Sequence, residues 1–331
     1  MASHIGRRKF LATLGGTAAA WPLAARAQQP PGKPPIIGFL RSASLADAAH
    51  LVAAFRRGLQ ETGYMEGQNV AIEYSSAEDH LDRLPALVDD LIRRPVAVIV
   101  GNHNAALAAK AATTAVPIVV VTGGDPVRDH LVASLNRPSA NVTGVSFLTV
   151  ELGAKRLDML RQLVPNATTI AMLVNPGSPD TEAERRAVQA AAQAMGQQLI
   201  ILEVQSERDF ETAFATFVQR GAGALLVGSG AFTNSHRQRL VVLAARNGIP
   251  AIYHVREAVA DGGLVSYDAS ITDAYRQAGI YAGRILRGER PSDLPVMQST
   301  KIELVINLKT ARTLGLALPA TLLALADEVI E

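Results

Sequence analysis

Ala97-Val98-Ile99-Val100-Gly101 returns 127 residues later as Ala224-Leu225-Leu226-Val227-Gly228. Both are short apolar runs closed by glycine, as expected of a strand buried on both faces of a parallel sheet. Two more runs return in the same order. Ile36-Ile37-Gly38-Phe39-Leu40 is echoed by Ile170-Ala171-Met172-Leu173-Val174 at a spacing of 134. Val116-Pro117-Ile118-Val119-Val120 is echoed by Ile249-Pro250-Ala251-Ile252-Tyr253 at a spacing of 133. Every parallel α/β sheet contains such runs. Three echoes in one order at nearly one spacing point further, to two copies of a βαβα lobe.

Working outward, the segments between the runs carry a helical period. Residues 46–62 place Leu51, Ala54, Phe55, Gly58 and Leu59 on one face, and Gly63 is a stop. The first copy is predicted as strands 36–40, 70–74, 96–100 and 117–122 with helices 46–62, 81–94 and 105–114; Pro85 is a weak point in the second helix. The second copy adds helices 180–195 and 207–219 around strand 199–204. Beyond it lie a helix over 275–286, a strand over 303–308 and a tail over 322–330. Crossings between the copies are expected at 141–147, 262–267 and about 295–301. The predicted division is therefore a first lobe of 36–145 plus 268–295 and a second of 146–267 plus 296–331. Several short connections make a hinge, and hinge closure over a ligand is the motion such a joint permits. The fold class is α/β: two Rossmann-like lobes with parallel sheets joined by a multi-strand hinge.

The first 27 residues are of another kind. Gly6-Arg7-Arg8-Lys9-Phe10-Leu11 opens a stretch that is apolar or small to Ala20, and Ala25-Arg26-Ala27 precedes Gln28. A basic start, an apolar middle and an A-x-A site read as an export signal, with cleavage expected near Ala27-Gln28. The paired arginines before x-Phe-Leu mark the twin-arginine variant, whose export machinery becomes an expected partner. The apolar middle is too short for a span, and Gly15, Gly16 and Pro22 interrupt it.

Removing that segment changes the charge. It holds four of the 32 basic residues and none of the 30 acidic ones, so the remainder carries a net −2 instead of +2. No basic stripe with interleaved aromatics is present, which argues against a nucleic-acid partner. There are no cysteines. This excludes disulfides, thiolate metal sites and a lipid-modified cysteine. No G-x-S-x-G elbow, dinucleotide fingerprint or P-loop occurs, and the seven histidines show no metal-ligand spacing. The reading is a non-enzyme without cofactor or metal, with an exported enzyme as the weaker alternative. A transcription regulator of this architecture would carry a helix-turn-helix where the export signal stands.

Several segments carry a resemblance. They are Gly63-Tyr64 with Glu66-Gly67-Gln68-Asn69-Val70, the run from Ile118 ending Gly123-Gly124-Asp125-Pro126, Asn141-Val142-Thr143-Gly144-Val145-Ser146, Glu303-Leu304-Val305-Ile306-Asn307, and Ala326-Asp327-Glu328-Val329-Ile330. Taken in order, the chain after the signal resembles the periplasmic substrate-binding proteins of ABC importers with a type I, two-lobe fold. Among these it is most similar to the ABC-substrate-binding group of tryptophan/tyrosine type. The resemblance implies a periplasmic protein that captures a small molecule between its lobes. It also implies delivery to an ABC permease in the inner membrane, with the ATPase subunit behind it. A ligand-sensing subunit for a membrane receptor is the alternative.

Ligands of open parallel sheets bind beyond the carboxyl ends of the strands. Candidate contacts in the first lobe are Ser42, Ala43, Asn102, His103 and Asp125. In the second lobe they are Asn175, Ser178, Ser229, Phe232 and Tyr253, and the crossings add Phe147, Tyr267 and Asp268. Helix starts favour an anionic or polar group, although Ser and Asn there serve equally as caps. Arg41 is placed either to pair with a carboxylate or to face solvent. Asp125, before Pro126, also fits a turn cap. The four aromatic candidates would grip an apolar body or pack between lobes. A bound ammonium requires acid or carbonyl partners. With Phe147 at the first crossing, Asp125 or Asp268 would have to substitute for an acid there. A carboxylate with an apolar body and no amine is therefore expected at least as readily as an amino acid.

Overall fold

The computed structural model describes residues 33–331 apart from 139, 148, 179 and 300. The export signal read over 1–27 lies outside the described residues. No described helix is long and apolar enough to cross a membrane.

The first lobe begins with β1 (Ile36–Arg41), α1 (Ala49–Glu61), β2 (Ala71–Ser76), α2 (Leu84–Arg93), β3 (Val98–Asn102), α3 (His103–Ala112), β4 (Ile118–Thr122) and β5 (Val142–Ser146). The chain then passes to α4 (Thr149–Leu163), β6 (Thr169–Val174), α5 (Thr181–Ala194), β7 (Gln198–Glu203), α6 (Asp209–Gln219) and β8 (Ala224–Val227). It continues through α7 (Ala231–Ser235), α8 (Arg237–Arg246), β9 (Ala251–Tyr253), α9 (Arg256–Ala260), β10 (Val265–Ala269) and α10 (Ile271–Leu286). The last elements are β11 (Met297–Gln298), β12 (Ile302–Asn307), α11 (Leu308–Thr313), α12 (Ala320–Leu325) and β13 (Glu328–Ile330).

The strands form two sheets, ordered β2-β1-β3-β4-β5-β11 and β7-β6-β8-β9-β10-β12-β13. The first five strands of each follow one order, so the sequence echoes fall at equivalent sheet positions. All recorded pairings are parallel except β10 with β12. Each sheet is covered on both faces. In the first, Phe39, Val100 and Val119 pack beneath α1 and α10, while Leu40, Ile99 and Val120 pack toward α2 and α3. In the second, Leu173 and Leu225 meet Phe210 and Phe214 of α6, and Met172 and Leu226 meet Leu157 and Leu160 of α4. This two-faced burial is why β1, β3, β4, β6 and β8 read as continuous apolar runs.

Pro85 does not weaken α2. It sits in the first turn, after a short 3₁₀ turn over Leu81–Arg83, where a missing N–H leaves no bond unmade. Two glycines fix the approach of α1 to α10. A Cβ on Gly58 would lie 1.8 Å from the Arg276 carbonyl oxygen, and one on Gly279 would lie 2.1 Å from that of Phe55.

The crossings differ in part from those expected. β5 runs to Ser146 in the first sheet, and α4 packs on the second. The second crossing falls at Ser270, not within 262–267, because residues 265–269 complete a strand between β9 and β12. Residues 268–269 thus belong to the second sheet. Residues 297–298 pair with β5 in the first, so the last crossing lies between Gln298 and Ile302.

Candidate ligand-binding cleft

The carboxyl ends of both sheets face one cavity of about 450 Å³. β1 ends at Arg41 and Ser42, β3 at Asn102 and His103, and β4 at Thr122 and Gly123, all on its wall. From the second lobe come Asn175 and Ser178 after β6, Gln205 after β7, Ser229 and Phe232 after β8, and His254 after β9. Leu51 of α1, Phe147 at the first crossing, and Ile271 and Tyr275 of α10 supply apolar wall.

Arg41 is the strongest electrostatic feature of this wall. It is 2% exposed, and among the described residues it forms no ion pair. Its Nη1 donates to the Tyr275 hydroxyl at 2.8 Å, and its guanidinium carbon lies 5.9 Å from the centre of that ring. Its Nε is buried without a hydrogen-bond partner. A buried cation with no counter-charge is costly, and an anion placed in the cavity would supply what is missing. Opposite, His254 is buried with neither ring nitrogen bonded among the described residues. Burial, and then the charge of Arg156, push it down to about 3, so it is a neutral imidazole. Asn234 also lines the cavity with its Oδ1 unpartnered. The second lobe therefore contributes two polar groups without hydrogen-bond partners, His254 and Asn234, to the same cavity.

The sequence candidates divide. Ser42, Asn102, His103, Phe147, Asn175, Ser178, Ser229 and Phe232 all line the cavity. Some are already engaged. The Ser42 backbone N–H donates to Asn102 Oδ1 at 3.0 Å, and Asn102 Nδ2 donates to Ser42 Oγ at 2.7 Å. Asn175 Nδ2 donates to the Val204 carbonyl. Five candidates do not line it. Ala43 is fully buried, and its carbonyl accepts from Ser76. Asp125 caps the following turn, accepting from the N–H groups of Val127 and Arg128 at 2.9 and 3.2 Å. Tyr253 points into the second lobe's core beside Phe232 and Val255, one residue out of phase with His254. Tyr267 packs against the opposite core of that lobe.

Asp268 belongs to a buried network. Arg156, 0% exposed, ion-pairs with both Glu184 and Asp268. Ser229 Oγ accepts from Arg156 and donates to Glu184, each at 2.9 Å. Thr149 Oγ1 donates to Asp268 Oδ1 at 3.0 Å. Burial pushes Asp268 up to about 7 against the opposing pull of Arg156. The network ties the start of α4, just after the first crossing, to the end of β10, just before the second.

The lobes also meet through ions. Asp180 of the second lobe pairs with Arg128 of the first at 3.2 Å, and Arg128 also holds Asp129 at 2.8 Å. His103 lies beside them. Burial lowers its pKa, while burial and the nearby Asp129 push Asp180 up to about 7. Asp180 and Asp129 carried no signal in the sequence, since residue 103 opens α3 while 129 and 180 lie in two separate turns far along the chain. Farther along the rim, His236 Nε2 lies 3.3 Å from Asp79 Oδ2. That bond raises the His236 pKa above its ordinary 6.5; burial opposes it, and Glu207 and Asp47 add to it. A raised histidine pKa gives stabilisation that is present below 6.5 and is lost as pH rises through the folded value. Asp79→Asn should therefore lower the thermal midpoint at about pH 6 and have no effect by about pH 9. Equal effects at both values would show that the pair does not carry the charge.

The family model for ABC transporter substrate binding proteins matches residues 37–330. A curated "Tyrosine-binding protein" of Clostridioides difficile is 24% identical over 264 residues, 79% of this chain and 75% of that one. A solved conserved domain protein of Vibrio cholerae superposes with a TM-score of 0.83 at 23% identity, over 90% of this chain and all of the other. An ABC domain of Streptococcus pneumonia in complex with L-Trp gives 0.80 at 25% identity, over the same shares. The matched family is one of substrate-binding proteins, and the solved structures share the two-lobe α/β fold.

Proposed function

The chain belongs to the ABC transporter substrate-binding protein family, and on that premise we propose that it captures a carboxylate with an apolar body between its lobes and hands it to an ABC importer permease. The single observation that carries the ligand class is Arg41, a buried guanidinium on the cavity wall with no acid to pair with. Phe147, Phe232, Leu51 and Ile271 suit an aromatic or branched aliphatic body. The relatives named for tyrosine and found with L-Trp handle ligands of this outline, with an added ammonium. Here both acids on the cavity wall are already engaged, Asp79 with His236 and Asp180 with Arg128. A carboxylate without an amine avoids leaving an ammonium short of partners.

Export by the twin-arginine route, cleavage near Ala27-Gln28 and residence in the periplasm complete the reading, which rests on the N-terminal residues and the family. The solute touches groups of both lobes, so it favours the closed arrangement by its extra contacts there. A thermal-shift screen tests the ligand class, using aromatic carboxylates, their α-amino counterparts, short aliphatic acids and sugars. A specific ligand at a hundredfold excess over Kd adds about 2.7 kcal/mol of apparent stability. The expected response is to carboxylates lacking the amine. A response confined to amino acids would overturn the amine-free reading, and one confined to sugars would overturn the role of Arg41.

A further inference from the structure

We propose that His103, Asp129 and Asp180 form a binding site for one divalent transition-metal ion of the Zn²⁺ type, bridging the two lobes. One donor atom from each residue lies within 4.8 Å of the other two. Donors about 2.0–2.2 Å from a common ion stand at most about 4.4 Å apart, so the set needs to draw in by no more than a few tenths of an ångström as the ion enters. His103 and Asp129 come from the first lobe and Asp180 from the second, so the donor set is complete only while the lobes meet.

The imidazole is an independent pointer. His103 is 6% exposed, and its Nε2 is buried without a hydrogen-bond partner. That nitrogen points at Asp129 Oδ2 from 3.5 Å, too far for a hydrogen bond and with room for an ion off the direct line. The other ring nitrogen lies 2.6 Å from Thr122 Oγ1, which in turn accepts from the Gly124 N–H at 3.0 Å, and 3.6 Å from Asp180 Oδ2, so the Asp180 carboxylate must turn toward Nε2 to share an ion with it. Such an outer contact fixes the orientation of a ligating histidine and leaves the far nitrogen free to bind.

Charge points the same way. Two carboxylates share one guanidinium, that of Arg128. The buried group is therefore one positive charge short when both acids are ionised. Arg128 is more than a third exposed and lies on the solvent side, so it can leave as a metal ion enters. One imidazole and two carboxylates suit Zn²⁺ or a neighbouring transition metal better than Mg²⁺ or Ca²⁺, which prefer all-oxygen sites. His103 and Asp180 also line the cavity, so the ion would stand at the solute's wall. The site depends on these residues alone, whichever solute the cavity takes.

Isothermal titration of the chelator-treated protein with ZnCl₂, without solute, tests this. One Zn²⁺ per chain is expected, with no saturable heat from MgCl₂. His103→Ala, His103→Gln and Asp180→Asn should each weaken Zn²⁺ binding at least about tenfold. His236→Ala should leave it unchanged, and Arg128→Ala should tighten it by removing the competing cation. Circular dichroism would confirm that each variant is folded. Absence of saturable Zn²⁺ binding, or binding unaltered in both the His103 and Asp180 variants, would overturn the proposal.

Discussion

Arg156→Met lowers the unfolding free energy of the ligand-free protein by about 3–5 kcal/mol, read as a fall in the urea midpoint. Arg156 is fully buried, and its guanidinium is the counter-charge to Glu184 and Asp268. Methionine fills much of the volume, so the loss is one of charge compensation more than of packing. Two carboxylates are then left in the core. Burial already holds Asp268 at about 7 with the arginine present, and without it this acid moves higher. A carboxylate raised above its unfolded value costs stability as pH increases, and variant and parent diverge above the parent value of about 7, so the deficit should grow from about pH 7 to about pH 9. Adding Glu184→Gln and Asp268→Asn to Arg156→Met should recover part of the loss at the higher pH. A deficit indifferent to pH would show that packing, not charge, is what the network supplies.

Arg41→Met is expected to weaken carboxylate binding by at least about 30-fold, the consequence of removing one side of a buried charge pair worth 2 kcal/mol or more. The ligand-free protein should not suffer. In it Arg41 is buried with, among the described residues, only the Tyr275 hydroxyl as a hydrogen-bond partner, and methionine keeps the apolar stem. Its midpoint should stay the same or rise, a trade of function for stability typical of a residue held for binding. Calorimetric titration of the best ligand, with a thermal scan of the free protein, reads both effects. Unchanged affinity would remove Arg41 from the site. Lost affinity with a falling midpoint would make its role structural.

The site was legible in position more than in detail. Strand ends marked the cleft, because in a parallel sheet every carboxyl end faces the same edge. Ser42, Asn102, His103, Phe147, Asn175, Ser178, Ser229 and Phe232 accordingly stand on the cavity wall. Which of two neighbours faces inward was not legible. Tyr253 and His254 differ by one residue at the end of β9, and strand alternation sends the tyrosine to the core and the histidine to the cleft. Tyr275 carried no signal either, since it reaches the cavity from a helix that returns to the first lobe after the second crossing.

The sequence by itself determined the duplicated βαβα order, the burial of the sheets on both faces and the edge at which a ligand would sit. These depend on the period of apolar residues and on short-range turn chemistry, both of which lie along the chain. Only the tertiary structure decided that Asp268 serves a buried arginine, that Arg41 lacks a counter-charge, and that His103, Asp129 and Asp180 meet. Each is a matter of electrostatic pairing between residues far apart in sequence, here from 26 to 112 positions for the pairs that meet. Local pattern does not encode such pairing, because it is set by which loops the two sheets bring face to face.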